Sequence, residues 1–469
     1  MSEIRFGTDG WRAVIAEDFT YANVRKVAYA IARYVVRAEQ PQNGVLVGYD
    51  NRFGSENFAR VAAETIAMTG TPVWLADEPC PTPAISLLVR QRRAAGGVMI
   101  TASHNPARWN GIKFKATYGS SALPSIVAQI EAELAAVLRD GLPALPPQPK
   151  LIQPLHARTP YLETIEKLVD WDRVKSHRLR VLVDPMYGAA RGLLCELLRR
   201  HGVACDEIHS TRDPLFGGIN PEPIEPHVAA LQNAVREGGY DAGLAADGDG
   251  DRIGAVDREG KFVTPHQVFC LLLWHLAGTR KLGGDVAKTF SSTKMLDKIA
   301  AKFGRKIHEV PIGFKYICEL MLERDILLGG EESGGIGTKL YLPERDATVT
   351  ALLLVELMAW HGKGLGELVS QLHDEFGEHH YGRVDLELKP GQKERAIEHF
   401  SRAKLTRYLD WSIARRENMD GVKLYLDQIG WLLIRTSGTE PMLRLYAETS
   451  SAKITRRILD ETAAFVQNL

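Results

Sequence analysis

The sequence predicts three α/β domains followed by a C-terminal α+β domain. Two observations carry this. A strand–helix–glycine–strand unit recurs three times, at spacings of more than 100 residues. From about residue 380 onward, strands instead follow one another. In the first unit, Val45–Gly48 is a strand, a helix ends near Gly70, and a strand restarts at Pro72–Trp74. The second runs Arg180–Asp184, helix Ala189–Arg200, Gly202, Val203; the third runs Val286–Phe290, helix Met295–Phe303, Gly304, Ile307. Each glycine stands where a helix end favours a left-handed residue. Strands joined through a helix imply crossover connections. One large doubly wound sheet with insertions is the alternative, and the wide spacing of the units argues against it. The closing order is strand Arg383–Leu388, helix Glu394–Asp410, strands Gly421–Leu426, Trp431–Thr436 and Met442–Glu448, then helix Ala452–Gln467. Consecutive strands suggest an antiparallel sheet.

Ahead of the first unit, residues 20–39 are helical, because Val24, Val27, Ala28, Ile31, Tyr34 and Val35 recur at three- and four-residue steps. Leu142 to Pro149 is proline-rich and reads as a semi-rigid linker. The expected domains are 1–145, 155–257, 258–374 and 375–469.

A chain of 469 residues holds about three or four domains. Apolar content of 45% and charged content of 25% are those of an ordinary globular protein. Lys+Arg and Asp+Glu are both 58, which argues against bulk electrostatic capture of nucleic acid or an anionic membrane. The five cysteines are scattered with no C-x-x-C, so neither a disulfide framework nor a paired-cysteine zinc site is expected. No apolar run is long enough to span a bilayer; the richest, Val268 to Ala277, is interrupted by His275. A soluble protein of a reducing, cytoplasmic compartment is expected.

Five short stretches carry chemistry. Thr101-Ala102-Ser103-His104-Asn105-Pro106 lies between the strand-like runs Gly97–Ile100 and Ile112–Lys115, with Asn105-Pro106 as the breaker. A serine hydroxyl is a weak nucleophile unless a base or a metal activates it. Asp247-Gly248-Asp249-Gly250-Asp251-Arg252 alternates three carboxylates with small residues. Such hard oxygens suit Mg²⁺ or Ca²⁺. In a flat strand, residues two apart lie about 7 Å from each other, so the glycines are needed to curl the carboxylates inward. An EF-hand is excluded, because its glycine and glutamate positions would be Arg252 and Arg258. A solvated acidic turn is the competing reading.

Arg435-Thr436-Ser437-Gly438-Thr439-Glu440-Pro441 combines a guanidinium, hydroxyls and a glycine, either as a phosphate cradle or as a polar turn. Phe6 to Arg12 is a ligand loop or a tight N-terminal turn. Gly329 to Gly335 contains Glu331, Glu332 and Ser333, which suit a hydroxyl-rich ligand or simply a glycine-rich loop. Taken alone, Lys113 reads more readily as a surface lysine on an edge strand, and His104 equally as a loop histidine satisfied by backbone. No Walker A, G-x-S-x-G or H-E-x-x-H sequence is present.

Together the FGTDGWR opening, TASHNP at 101–106, DGDGDR at 247–252, GEESGG at 330–335 and RTSGTEP at 435–441 resemble, in order and over nearly the whole chain, the α-D-phosphohexomutase family. That family includes phosphoglucomutase and phosphomannomutase. The resemblance implies three phosphoglucomutase-type α/β domains and a C-terminal domain like the TATA-box-binding protein. It also implies roles. Ser103 matches the serine that carries a phosphoryl group, and Asp247, Asp249 and Asp251 match the Mg²⁺ ligands, with phosphorylated Ser103 as a further ligand. Arg12 and Arg252 match arginines at the reacting phosphate. His104 and Lys113 match acid/base residues. Glu331, Ser333 and Lys315, the last in Val310-Pro311-Ile312-Gly313-Phe314-Lys315, match groups that read the sugar. Arg435, Ser437, Gly438 and Thr439 match the loop holding the non-reacting phosphate.

The implied reaction interconverts hexose 1-phosphate and hexose 6-phosphate through phosphoserine at Ser103. A hexose 1,6-bisphosphate is both intermediate and activator. Phosphoryl transfer depends on charge neutralisation and in-line positioning, which these residues supply. The bisphosphate must turn over within the cleft, so the C-terminal domain is expected to move as a lid. Glucose phosphates are favoured, with mannose phosphates next, because Glu332, Gly335 and the 310–315 loop differ from the glucosamine branch. RTSGTEP, by contrast, is close to that branch, so phosphoglucosamine mutase is the alternative. A Mg²⁺-dependent phosphatase and a non-catalytic sugar-phosphate sensor are readings of other classes. Partners are expected to be small sugar phosphates, with no nucleic acid or membrane, in a monomer or homodimer.

Overall fold

The computed structural model describes residues 4–6, 9–402, 404–436 and 442–469. The first sheet contains β1 (Trp11–Val14), β2 (Val45–Tyr49), β3 (Val73–Ala76), β4 (Gly96–Ile100), β5 (Trp109–Ala116), β6 (Ser120–Ser121) and β7 (Ile152–Leu155). Its order is β1-β5-β4-β2-β3-β7, with β6 on β5. β2 and β4 are buried at every residue because helices cover both faces of the parallel centre. β7 joins this sheet after the exposed proline-rich segment.

The second sheet contains β8 (Arg180–Asp184), β9 (Ala204–Glu207), β10 (Ala242–Ala246), β11 (Ile253–Asp257) and β12 (Phe262–Val263), in the order β12-β11-β10-β8-β9. The third contains β13 (Asp285–Thr289), β14 (Ile307–Val310), β15 (Ile326–Gly330) and β16 (Ile336–Thr338), in the order β14-β13-β15-β16. The three sheets share one plan. β5-β4-β2-β3, β11-β10-β8-β9 and β16-β15-β13-β14 are the same four-strand arrangement, three parallel strands with one antiparallel strand at the side. In each sheet, the loop entering the antiparallel strand is one of the singled-out stretches: the serine loop, the acidic loop and the Glu331–Gly335 loop. Equivalent turns of three domains thus supply three parts of one site.

The glycines at the ends of the three units, Gly70, Gly202 and Gly304, have φ of 85°, 77° and 64°. This is the left-handed conformation expected at a helix exit. The second unit's helix starts only at Leu193, because Met186 and Tyr187 take positive φ and Gly192 does so as well. The second and third domains share a continuous core around the helix Ala347–His361. That helix is apolar on all sides because it is buried on all sides.

The fourth sheet contains β17 (His380–Glu387), β18 (Arg407–Tyr408), β19 (Trp411–Glu417), β20 (Val422–Leu426), β21 (Gly430–Thr436) and β22 (Met442–Thr449). It is antiparallel throughout, in the order β17-β22-β21-β20-β19-β18. The expected helix to Asp410 ends at Ser401, and β18 and β19 follow. β19 is charged and only partly buried, so it carries no apolar periodicity to read. Helices Gln392–Ser401 and Ala452–Gln467 cover one face of the sheet. On the other face, Trp431, Leu433 and Tyr446 pack on Phe290 of the third domain.

One expectation is corrected. Cys195 and Cys205 form a disulfide, with Cα atoms 5.4 Å apart. The helix Leu193–Arg200 turns at Gly202 and returns as β9, which brings the two cysteines together across ten positions. No cysteine motif marks such a return. Cys80, Cys270 and Cys318 are free and buried. Among the described residues, no helix is long and apolar enough to cross a membrane.

The C-terminal domain docks through a buried cation. Lys423 is fully buried, donates to the Phe290 carbonyl at 2.5 Å, and lies 4.3 Å from the Trp431 ring centroid. Burial lowers its pKa from 10.5 to about 7, although Glu309 favours the charge. The docked state therefore binds fewer protons than the released state between pH 7 and 10.5, and docking strengthens as pH rises through that window. Thermal unfolding from pH 7 to 10 should show wild type gaining on Lys423→Met by up to about 1.4 kcal/mol per pH unit. Parallel curves for the two proteins would show that Lys423 does not govern docking.

Candidate active site

Ser103 is 1% exposed and follows β4 with φ of 55°. A non-glycine residue held in the left-handed region costs about 1–3 kcal/mol and persists only where its surroundings over-determine it. Its hydroxyl donates to Asp247 Oδ2 at 2.8 Å, across the interface between the first and second domains. It also lies 3.4 Å from His104 Nδ1. Gly248 permits this approach, because a Cβ there would stand 2.5 Å from the Ser103 carbonyl oxygen. Gly250 has φ of 73°, so the loop does curl at a glycine.

Asp247, Asp249 and Asp251 are fully buried, with one ligand atom of each within 4.8 Å of the others. Asp247 Oδ1 accepts the backbone N–H groups of Asp251 and Arg252. Asp249 Oδ2 accepts from Thr82 Oγ1 at 2.5 Å and Lys113 Nζ at 2.8 Å. Asp251 Oδ2 accepts from Lys113 at 3.2 Å and Arg345 at 2.7 Å. Among the described residues, Asp249 Oδ1 and Asp251 Oδ1 are buried with no hydrogen-bond partner. Converging hard oxygens with unmatched buried lone pairs fit a Mg²⁺ ion.

The charges are arranged in layers. Burial raises the Asp247 carboxyl well above its usual range, and the neighbouring Asp249 and Asp251 add to this. Burial acts the same way on Asp249, but Lys113 outweighs it and keeps that carboxyl low. Lys113 is 1% exposed and held charged against burial by Asp249, Asp251 and Asp9. His104 is held well below its normal pKa by burial and by Arg252, Arg12 and Arg52. Arg12 reaches Asn105 Oδ1 at 2.6 Å, and Arg252 leaves the acidic loop beside Asp251.

Glu331 meets this group through a residue that sequence reasoning missed. Arg345 is 5% exposed and donates to Glu331 at 3.0 Å, Asp9 at 2.8 Å and Asp251 at 2.7 Å, joining loops of three domains. Gly334 sits against β11, where a Cβ would meet the Ile253 oxygen at 2.4 Å. Ser333 is partly exposed on the same loop. Glu332 turns away and accepts from Ser291 Oγ at 2.7 Å.

Arg435 stands apart from the serine and acidic loops, paired with Asp420 at 2.9 Å. The other Asp420 oxygen accepts the Ile312 N–H, so the 310–315 loop is tied to the same carboxylate. Lys315 lies in the first turn of the helix Phe314–Glu323, with its ammonium over the Tyr316 ring. Ser437, Gly438 and Thr439 lie outside the described residues.

Models of phosphoglucomutase/phosphomannomutase domains match in order: α/β/α domain I at residues 3–139, domain II at 159–260, domain III at 264–376 and the C-terminal domain at 405–465. A phosphoglucomutase/phosphomannomutase of Thermococcus kodakarensis is 30% identical over 97% of this chain and 96% of its own. A phosphoglucosamine mutase of Carboxydothermus hydrogenoformans is 31% identical over 99% of both chains. A crystal structure from Thermus thermophilus superposes with a TM-score of 0.87 at 33% identity, covering 99% of both chains. With these matches along its whole length, the chain belongs to the phosphoglucomutase/phosphomannomutase family, the α-D-phosphohexomutases, whose members are magnesium-dependent intramolecular phosphotransferases.

Proposed function

We propose that the enzyme interconverts the 1-phosphate and 6-phosphate of a hexose through phosphorylated Ser103. A hexose 1,6-bisphosphate serves as intermediate and activator. One observation carries the reading: the Ser103 hydroxyl bonds Asp247 in a buried pocket that also holds Lys113, Asp249 and Asp251. A bound Mg²⁺, held by the three aspartates and the phosphoserine, would neutralise charge on the transferring group. Arg12 and Arg252 flank His104 and supply further positive charge. His104 and Lys113 are the proposed carriers of the sugar hydroxyl's proton. Glu331 and Ser333 offer acceptors to the sugar, and Lys315 is proposed to read it as well. Arg435, with Ser437, Gly438 and Thr439, holds the far phosphate, so that remote binding positions the reacting end.

Glucose phosphates are the proposed substrates, with mannose phosphates next, on the strength of Glu332, Gly335 and the 310–315 loop. Glucosamine phosphates form the second reading, favoured by the RTSGTEP loop and by the phosphoglucosamine mutases among the relatives. Coupled assays on glucose, mannose and glucosamine 1-phosphates, with Mg²⁺ and bisphosphate primer, decide between them. The expected result is 6-phosphate product from one sugar at least about tenfold faster, by kcat/KM, than from the others. Free phosphate appearing in place of isomerised sugar would identify a phosphatase, and no product from any sugar would leave a sensor.

A further inference from the structure

We infer that Asp50-Asn51-Arg52 is a splint that holds the serine loop in its reactive geometry against the acidic loop, with Arg52 as a positioning residue for phosphoryl transfer. The inference rests on Ser103 being the phosphoryl carrier.

Arg52 is fully buried and spends all five guanidinium N–H donors. Its Nε donates to Asp50 at 3.1 Å. One terminal nitrogen donates to the carbonyls of Pro106 at 2.9 Å and Trp109 at 3.1 Å. The other donates to those of Ser103 and Asn105, both at 2.6 Å. Four carbonyls of one loop therefore converge on a single cation. The loop is wound around Arg52, and Ser103, at φ of 55°, is part of that winding. Asp50 works from the other side. It accepts from Thr101 Oγ1 at 2.6 Å, and Thr101 Oγ1 in turn accepts the Ser103 N–H at 2.9 Å. Both backbone groups of Ser103 are thus tied to the same three-residue turn.

The middle residue reaches the other domain. Asn51 Nδ2 donates to the carbonyls of Tyr187 at 2.8 Å and Gly188 at 2.7 Å. Those residues follow β8, as Asp50 to Arg52 follow β2, so equivalent strand ends of two domains meet here. The next residue, Ala189, donates its N–H to the Gly248 carbonyl inside the acidic loop at 3.0 Å. Phe216, also from the second domain, lies under the guanidinium at 4.9 Å. Asn51 is therefore two contacts from Gly248, while Arg52 and Asp50 hold Ser103 directly. The turn sets the distance between nucleophile and carboxylates without touching the substrate. This matters because Ser103 alternates between a neutral hydroxyl and a group carrying about −2 charge, which would otherwise let a strained loop relax. Lysine cannot replace Arg52, since an ammonium offers three donors and no plane.

The test uses the full-length enzyme with Mg²⁺ and glucose 1,6-bisphosphate. Arg52→Lys should lower kcat about 100-fold, the scale of a roughly 1 Å misplacement, with KM for the sugar phosphate within threefold of wild type. Its phosphoserine ³¹P resonance should broaden or move relative to wild type, while phosphorylation by the bisphosphate still goes to completion by intact mass. Asn51→Leu, which frees the second domain without unwinding the loop, should lower kcat about tenfold and keeps the test open if Arg52→Lys does not fold. Phe53→Ala, at the exposed neighbouring position, should behave as wild type. Wild-type kcat in either folded variant, or a loss confined to KM, overturns the splint. A wild-type enzyme that never becomes phosphorylated at Ser103 overturns instead the reading on which it rests.

Discussion

Ser103→Ala should abolish mutase turnover by at least about 10⁴-fold while leaving sugar-phosphate binding within a few-fold of wild type. The size follows from the loss of the nucleophile itself, since members of a catalytic unit are strongly non-additive and one deletion costs nearly as much as several. Binding survives because the groups proposed to hold the sugar and the far phosphate, Glu331, Ser333 and Arg435, are not bonded to Ser103 in the structure. Folding should survive as well. Alanine bears no greater penalty than serine at φ of 55°, and the backbone bonds from Arg52 and to Thr101 are unaffected. The local loss is the 2.8 Å bond to Asp247, whose other oxygen keeps its bonds from the Asp251 and Arg252 N–H groups. A stopped assay for isomerised product, paired with calorimetric titration of glucose 1,6-bisphosphate, checks both halves. Turnover retained in Ser103→Ala would place the phosphoryl carrier elsewhere. Lost binding would make Ser103 part of the substrate grip.

The site was legible where its chemistry is local. Three carboxylates meant for one ion must be close in sequence or brought close by glycines, and Asp247 to Asp251 does both within five positions. Gly248 and Gly250 then prove necessary for separate reasons, one for contact with the serine loop and one for its backbone angle. Arg345 was not legible. It stands in an unremarkable Pro343-Glu344-Arg345-Asp346 stretch, and its function arises only when three domains converge on one guanidinium. The available signal was weak: a charged triplet directly preceding a helix with apolar residues on every side. Arg52 was hidden for the same reason, since a residue that binds backbone carbonyls leaves no pattern in side-chain chemistry. The three α/β units were read from their glycines. The equivalence of the serine, acidic and Glu331 loops was not, because they share a place in the topology and no residues. β19 escaped because a charged, only partly buried strand lacks the apolar alternation by which strands are recognised.

Lys113→Met should be both destabilising and inactivating, and the two effects should separate. The ammonium lies 3.0 Å from Asp9, 2.8 Å from Asp249 and 3.2 Å from Asp251, with almost no solvent access. Removing one partner of a buried charge cluster leaves the others uncompensated, at a cost of about 3–5 kcal/mol. For a first unfolding transition that involves about 150–250 residues, that should lower its midpoint by about 6–20 °C at low Mg²⁺. Added Mg²⁺ should recover more stability in the variant than in wild type, because the same carboxylates then present a greater excess of negative charge. Asp9→Asn in the Lys113→Met background removes one of those charges. It should restore at least half of the lost thermal stability, since Arg345 remains to balance Asp251. Activity should not follow. If Lys113 also exchanges the proton of the sugar hydroxyl, the double variant stays about 10²–10⁴-fold below wild type in kcat despite its recovered fold. Calorimetry and the coupled assay on the same samples decide the matter. Recovery of activity in step with stability would reduce Lys113 to a counter-charge, and would leave His104, 3.4 Å from the serine oxygen, as the remaining proton carrier.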